Sequence, residues 1–304
     1  MDRSVPQRIL ITGDQGLIGT ALSDALRSAG HSVRGLDVRG IGSGHGDLRD
    51  RATLQRAMPG CDGIVHLGAV SRVIDGERDP ETCWSVNAEG TRQLVALAEA
   101  QPQRPWLIYA SSREVYGQAE TLPASEDSPR RPVNIYGRSK VAGEDAVAES
   151  VLQAAVVRFS NVYGSTADHA DRVVPAFCRR ACMDLALRVD GSGHTFDFTH
   201  VNDTVRGLML LIRHLQDGHG NITLHFLTGV PTTLGQLARM AVELTGSSSQ
   251  IHEAPPRNFD VGRFYGDPGR AARTLGWRAE VSLREGLARL VRDFRADLAQ
   301  SAVA

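Results

Sequence analysis

The sequence predicts an α/β protein: a doubly wound parallel sheet with a smaller C-terminal domain. Three observations carry that reading. Strand-like and helix-like stretches alternate through the first half of the 304-residue chain, the signature of a parallel sheet covered on both sides. A glycine-rich turn joins the first strand to the first helix. The second half then loses the alternation, which places residues 1–165 in the first domain and 166–304 mainly in the second, with part of 197–226 returning to the first. At 41% apolar and 23% charged residues the composition is globular.

Residues 8–12 read as the first strand. Leu17, Ile18, Ala21, Leu22, Ala25, Leu26 and Ala29 recur at helical spacing as far as Gly30, a natural C-terminal stop. Strands follow at 31–37, 63–67, 106–110 and 154–159, with helices at 82–100, carrying Val86, Leu94, Val95 and Leu97, and at 136–150. Further on, Thr233 and Gln236 form a capping box ahead of Leu234, Leu237, Met240 and Leu244. Leu283, Leu287, Leu290, Val291 and Phe294 mark the last helix, and the Pro-, Gly- and Arg-rich stretch 253–270 is expected to loop over a cleft.

Composition also excludes function classes. A net charge of −1 and a pI near 6.8 provide no basic field for nucleic acid. No apolar run approaches the roughly 18 to 20 residues of a membrane span. Met1 to Gln7 lack a signal peptide's apolar core, so a cytoplasmic location is expected. Cys61, Cys83, Cys178 and Cys182 are too few and scattered for a disulfide scaffold and have no histidine set beside them, so no metal is expected. They read as small buried apolar residues.

Chemistry begins at Gly13, Gly16 and Gly19, between the first strand and the first helix. Absent side chains there permit a tight turn and let a pyrophosphate approach the helix N-terminus, whose free amides favour anions. Asp37, at the end of the second strand, suits both ribose hydroxyls and would repel a 2′-phosphate, which predicts NAD over NADP. Lys140 is the only lysine among 34 Lys and Arg residues, and it lies one helical turn after Tyr136. A compact ammonium there favours the phenolate of Tyr136, whose unperturbed pKa near ~10 makes it a poor base alone.

The three-plus-three glycine spacing and Tyr136-x-x-x-Lys140 together resemble the extended short-chain dehydrogenase/reductase family, in particular the NAD-dependent sugar-nucleotide epimerases and dehydratases with a Rossmann domain and a substrate-binding domain. The resemblance also takes in Asp37, Gly46-Asp47-Leu48, His66-Leu67-Gly68-Ala69, Asn87 with Gly90-Thr91, Ser111 to Gly117, Arg158 to Gly164 and Asp267 to Trp277. It implies that Asp47 and Leu48 lie near the adenine and that Gly68 and Ala69 line the path to the nicotinamide, with Leu17, Ile18 and Leu67 in the same cofactor set. Gly68 stands where the family often has alanine. Asn87 either orders the strand ends or contacts the cofactor. Tyr136 becomes the base that takes a hydroxyl proton as hydride leaves the same carbon, and Ser112 bonds the developing oxyanion or passes the proton to Tyr136.

Glu114 is the residue that bears on the reaction. Dehydratases and some decarboxylases of the family carry a glutamate there, but Arg113 stands where glucose-type dehydratases have aspartate. Glu114 is then a base at C5, or a partner of Arg113 or of a sugar hydroxyl. On the substrate side the resemblance implies that Asn161 and Arg257 meet the sugar diphosphate, with Arg113 and Arg172 in the substrate set. Phe196 replaces a common diphosphate arginine, and His194, Arg172 or Arg179 are the candidates to substitute, with a less anionic or differently oriented substrate, or lost catalysis, as the alternatives. Arg72 reads as a solvated surface arginine, with contact to the sugar or an acidic substituent as the alternative. The leading expectation is a nucleotide-sugar epimerase, with a Glu114-assisted dehydratase or decarboxylase as the alternative and a non-catalytic NAD sensor as a remote one. The resemblance further implies a homodimer through the helices at 82–100 and 136–150.

Overall fold

The computed structural model describes residues 5–301; Met1 to Ser4, part of the expected N-terminal lead, and residues 302–304 lie outside the described residues. Six strands form the central sheet: β1 (Arg8–Thr12), β2 (Ser32–Leu36), β3 (Gly63–His66), β4 (Trp106–Ser112), β5 (Ala154–Phe159) and β6 (Ile222–Phe226). Their order is β2-β1-β3-β4-β5-β6 and every pairing is parallel. The inner strands β1, β3, β4 and β5 are buried almost throughout and largely apolar because helices cover both faces. Ile9, Ile11, Val65, Ile108 and Val157 pack against Leu22 and Leu26 of the helix Leu17–Ser28 and Leu208 and Leu211 of the helix Val201–Gln216. On the other face Leu10, Ile64, Leu107 and Val156 meet Leu54, Leu94, Leu97 and Val147. Each such leucine, withdrawn wholly from water, contributes about 1.5–3 kcal/mol.

The strand order reverses direction at β1, so the loops after β1 and β3 part and leave a crevice at their carboxyl ends. Over that crevice sits a third apolar cluster. It unites the helices Val173–Cys182, Leu234–Thr245 and Leu283–Ser301 with the paired strands Leu187–Asp190 and Ile251–Ala254. The expected capping box is present, with Thr233 and Gln236 exchanging bonds between side chain and backbone.

Two elements differ from expectation in ways that matter to the site. The helix expected at 82–100 begins at Pro80 under an Asp79 cap and passes through a π-helical turn, Ser85–Glu89, before Gly90–Glu99. The turn turns Asn87 inward, where its amide bonds both Val70 N–H (2.8 Å) and Val70 C=O (3.0 Å) and fixes the loop after β3. β4 runs two residues beyond its expected end, because Ser111 and Ser112 pair with Arg158 and Phe159 of β5.

Candidate active site

Gly13 ends β1 with φ +75°, and a Cβ there would stand 2.7 Å from Gly68 N, while one at Gly19 would stand 2.2 Å from Gly13 O. Only glycine lets the turn close on the loop after β3 and on its own helix. The helix Leu17–Ser28 has Gly16 as N-cap and no side-chain cap among the described residues. Its first-turn amides therefore retain their donor capacity for an anion. Gly68 has a local reason as well: a Cβ would sit 3.1 Å from Leu48 Cδ1 and 3.2 Å from Thr12 Oγ1.

Behind this turn, Thr12 Oγ1 bonds His66 Nδ1 at 2.6 Å and His66 Nε2 bonds Thr91 Oγ1 at 2.9 Å. Burial, with the Lys140 charge adding to it, pushes His66 down to about 3, so the imidazole is a neutral link between β1 and β3. At the end of β2 the Asp37 carboxylate accepts from Gln15 N–H and Arg39 N–H and pairs with the Arg39 guanidinium at 3.3 Å. Arg39 was not singled out from sequence; its place two residues after the carboxylate was the available signal. Asp47 is held below the usual carboxylate range by the Arg49 fork, 2.6 Å away. An uncapped helix start, a three-glycine turn and a carboxylate at the next strand end fit a dinucleotide with a free 2′-hydroxyl.

β4 delivers Ser112 to the crevice, and the short helical turn Arg113–Tyr116 follows it, with Ser112 Oγ accepting Glu114 N–H at 3.2 Å. The helix Ile135–Ala148, capped by Asn134, brings Tyr136 and Lys140 alongside. Lys140 Nζ donates to Ala110 C=O at 2.8 Å and lies 5.8 Å from the Tyr136 ring centre. Burial draws Lys140 down to about 8. The expected depression of the Tyr136 phenol is not found in the protein alone. Burial pushes it up to about 12, against the opposing effects of the Ser112 hydrogen bond and the Arg172 charge, with Glu114 adding to the rise. Desolvation of the anionic form outweighs the cations near it.

Glu114 is 4% exposed. One carboxylate oxygen pairs with Arg113 Nη2 at 2.9 Å and the other accepts from Asn134 Nδ2 at 2.8 Å. The Arg113 guanidinium lies 4.4 Å from the Phe196 ring centre and 5.8 Å from that of Phe264, and its Nη1 is buried and, among the described residues, without a partner. The cation packed against the Phe196 ring is therefore Arg113. His194 meets only the edge of the Phe196 ring, and Arg179 lines a separate small hollow beside Phe294.

Asn161 holds a buried Nδ2 that is also unpartnered among the described residues. Arg172 donates to Ser71 Oγ at 3.0 Å, and Arg257 pairs with Asp260 at 2.8 Å. Arg72 is not a solvated surface arginine: its side chain is 19% exposed and pairs with Asp75 and, across the cleft, with Asp171. Pairing after the fold closes, ninety-nine residues apart in sequence, is what a local reading lacks. One continuous cavity of about 1050 Å³ runs from Gly13 to Arg257; the predicted glycine turn, Asp37, Asp47, Leu48, Leu67, Gly68, Ala69, the four catalytic residues and Arg113, Asn161, Arg172 and Arg257 line it, whereas Asn87, Arg179 and His194 do not. It also takes in Arg188, paired with Asp190, for which the sequence offered no local signal.

A model of the NAD dependent epimerase/dehydratase family matches residues 9–224. The chain is 30% identical over 319 residues to UDP-glucuronic acid decarboxylase 1 of Danio rerio, covering 97% of this chain and 74% of that protein. It is likewise 30% identical over 313 residues to UDP-glucose 4-epimerase of Mycolicibacterium smegmatis, covering 95% and 98% of the two chains. Among solved structures, MoeE5 in complex with UDP-glucose and NAD superposes with a TM-score of 0.88 at 29% identity, covering 96% of this chain and 99% of the other.

Proposed function

Since the chain belongs to the NAD dependent epimerase/dehydratase family, a family of NAD-dependent enzymes, we propose that it is an epimerase of a nucleotide-activated sugar. The observation that carries this reading is the state of Glu114: both its oxygens are already engaged, by Arg113 and Asn134. A carboxylate with both oxygens held by donors is poorly placed to take a proton from a ring carbon. Tyr136, beside Ser112, is the group left to move a proton.

Gly13, Gly16, Leu17, Ile18 and Gly19 hold the pyrophosphate of NAD, Asp37 the adenosine ribose, and Asp47, Leu48, Leu67, Gly68 and Ala69 the remaining length. When bound, the cofactor supplies a reversible hydride acceptor. Tyr136 takes the proton from the sugar hydroxyl, and it reaches its base form only with positive charge beside it, from Lys140 and the oxidised nicotinamide. Ser112 donates to the oxygen as its charge develops. The keto sugar turns over within the cavity, and Tyr136 gives the proton back to its oxygen as hydride returns to the opposite face of the carbon. Asn161, Arg172 and Arg257 hold the diphosphate.

A second reading, dehydration or decarboxylation assisted by Glu114, is favoured by one observation: Glu114 lines the same cavity as Tyr136. Incubation with a panel of nucleotide sugars in deuterated water, followed by NMR, separates the two. A C4 epimer without solvent deuterium supports epimerisation. Deuterium at C5, a deoxy-keto product or loss of carbon dioxide overturns it. The same proposal includes a homodimer through the helices at 80–99 and Ile135–Ala148, which a monomer in sedimentation would refute, and a cytoplasmic location. Among the described residues no helix is long and apolar enough to cross a membrane.

A further inference from the structure

We infer that Arg113 is a specificity-determining residue that selects a hexuronic acid, a nucleotide sugar whose hexose carries a carboxylate. The inference rests on the nucleotide-sugar reading above but not on the reaction type. The guanidinium is held by the Phe196 and Phe264 rings, so its plane is fixed before any ligand arrives. One edge, at Nη2, is committed to Glu114; Nη1 is buried and, among the described residues, has no acceptor. A buried guanidinium donor left without an acceptor is costly, and an acceptor on a ligand removes that cost.

Charge decides what kind of acceptor. Arg113, Lys140 and Arg172 line the cavity with Tyr136, and the carboxylate bonded to Arg113 is that of Glu114. A hydroxymethyl group offers Nη1 only a neutral acceptor, whereas a carboxylate makes a charge-assisted bond and suits the geometry of the fork. Phe196 completes the arrangement, because an apolar ring at that position gives Arg113 a face to lie on.

The test is calorimetric titration of the NAD-loaded Tyr136→Phe variant, in which turnover is held off, with UDP-glucuronic acid and UDP-glucose. The uronate is expected to bind about 10- to 100-fold more tightly, the range of one charge-assisted hydrogen bond. Adding Arg113→Gln should bring the preference below about 3-fold while leaving NAD affinity unchanged, and Arg113→Lys should retain part of it. Equal affinity for the two sugars, a preference that survives Arg113→Gln, or failure of both to bind while NAD binds overturns the inference. A retained, Arg113-dependent preference in an enzyme that epimerises nothing overturns the epimerase reading alone.

Discussion

Replacing Lys140 by methionine should make the protein inactive and, at neutral pH, more stable. The lysine is 4% exposed and its pKa falls from 10.5 to about 8 on folding, a gap worth about 3 kcal/mol against the folded state wherever the group is charged in both states. Methionine is close in shape, and the lost bond to Ala110 C=O subtracts about 1 kcal/mol. The variant should therefore gain about 2 kcal/mol at pH 7. The sign follows from proton counts. Between pH 8 and 10.5 the unfolded wild type binds more protons than the folded one, so its stability rises with pH while the variant's contribution stays flat. The advantage of methionine disappears across that window and reverses above it. Denaturant titration of both proteins without cofactor at pH 7, 9 and 10.5 reads this directly. A methionine variant less stable than wild type by the same amount at all three values would refute the reasoning, because burial would then not be opposing the ammonium.

Lys140→Arg keeps the charge and changes the shape, leaving most guanidinium donors without acceptors in a pocket built for one bond to Ala110; kcat should fall about 100-fold with a lower melting temperature, and near-normal turnover would make the lone lysine a coincidence. Asp37→Ser removes the carboxylate that would repel a 2′-phosphate and frees the Arg39 fork, so affinity for NADPH relative to NADH should rise about 10- to 100-fold in fluorescence titrations; an unchanged ratio would show that Arg39 does not reach the cofactor. Glu114→Gln should leave the rate of epimer formation within about tenfold, since the carboxylate holds Arg113 and does not move a proton; a loss beyond about 1000-fold in the NMR assay would transfer the chemistry to Glu114.

The parts of this protein legible in its sequence are those whose cause is local. The turn from Gly13 to Gly19 could be read because three glycines between a strand and a helix answer a steric demand visible within a few residues. The strands 154–159 and 8–12 could be read because burial on both faces leaves an unbroken apolar run. What could not be read depends on distant packing. Arg113 comes to lie over Phe196, 83 positions on, only after the second half of the chain folds over the crevice. Arg72 finds Asp171 in the same way. The Tyr136 shift has the opposite character: the spacing to Lys140 revealed the nearby cation, but the desolvation that outweighs it exists only in the folded interior.

That division explains why a chain so committed to arginine has its one lysine at position 140. Six of the arginines that line the cavity are each met by a carboxylate: Arg39 by Asp37, Arg49 by Asp47, Arg72 by Asp75, Arg113 by Glu114, Arg188 by Asp190 and Arg257 by Asp260. At a desolvated site a planar group with five donors calls for several acceptors, and a donor left unmet, as at Arg113 Nη1, costs stability. Lys140 has a different neighbourhood, with one backbone carbonyl at 2.8 Å and the aromatic faces of Tyr109 and Tyr136 within 6 Å. A carboxylate placed there to satisfy a fork would raise the Tyr136 phenol further, as Glu114 already does. A point charge satisfied by one neutral carbonyl leaves its field available to the phenol, and lysine is the side chain that can meet that demand.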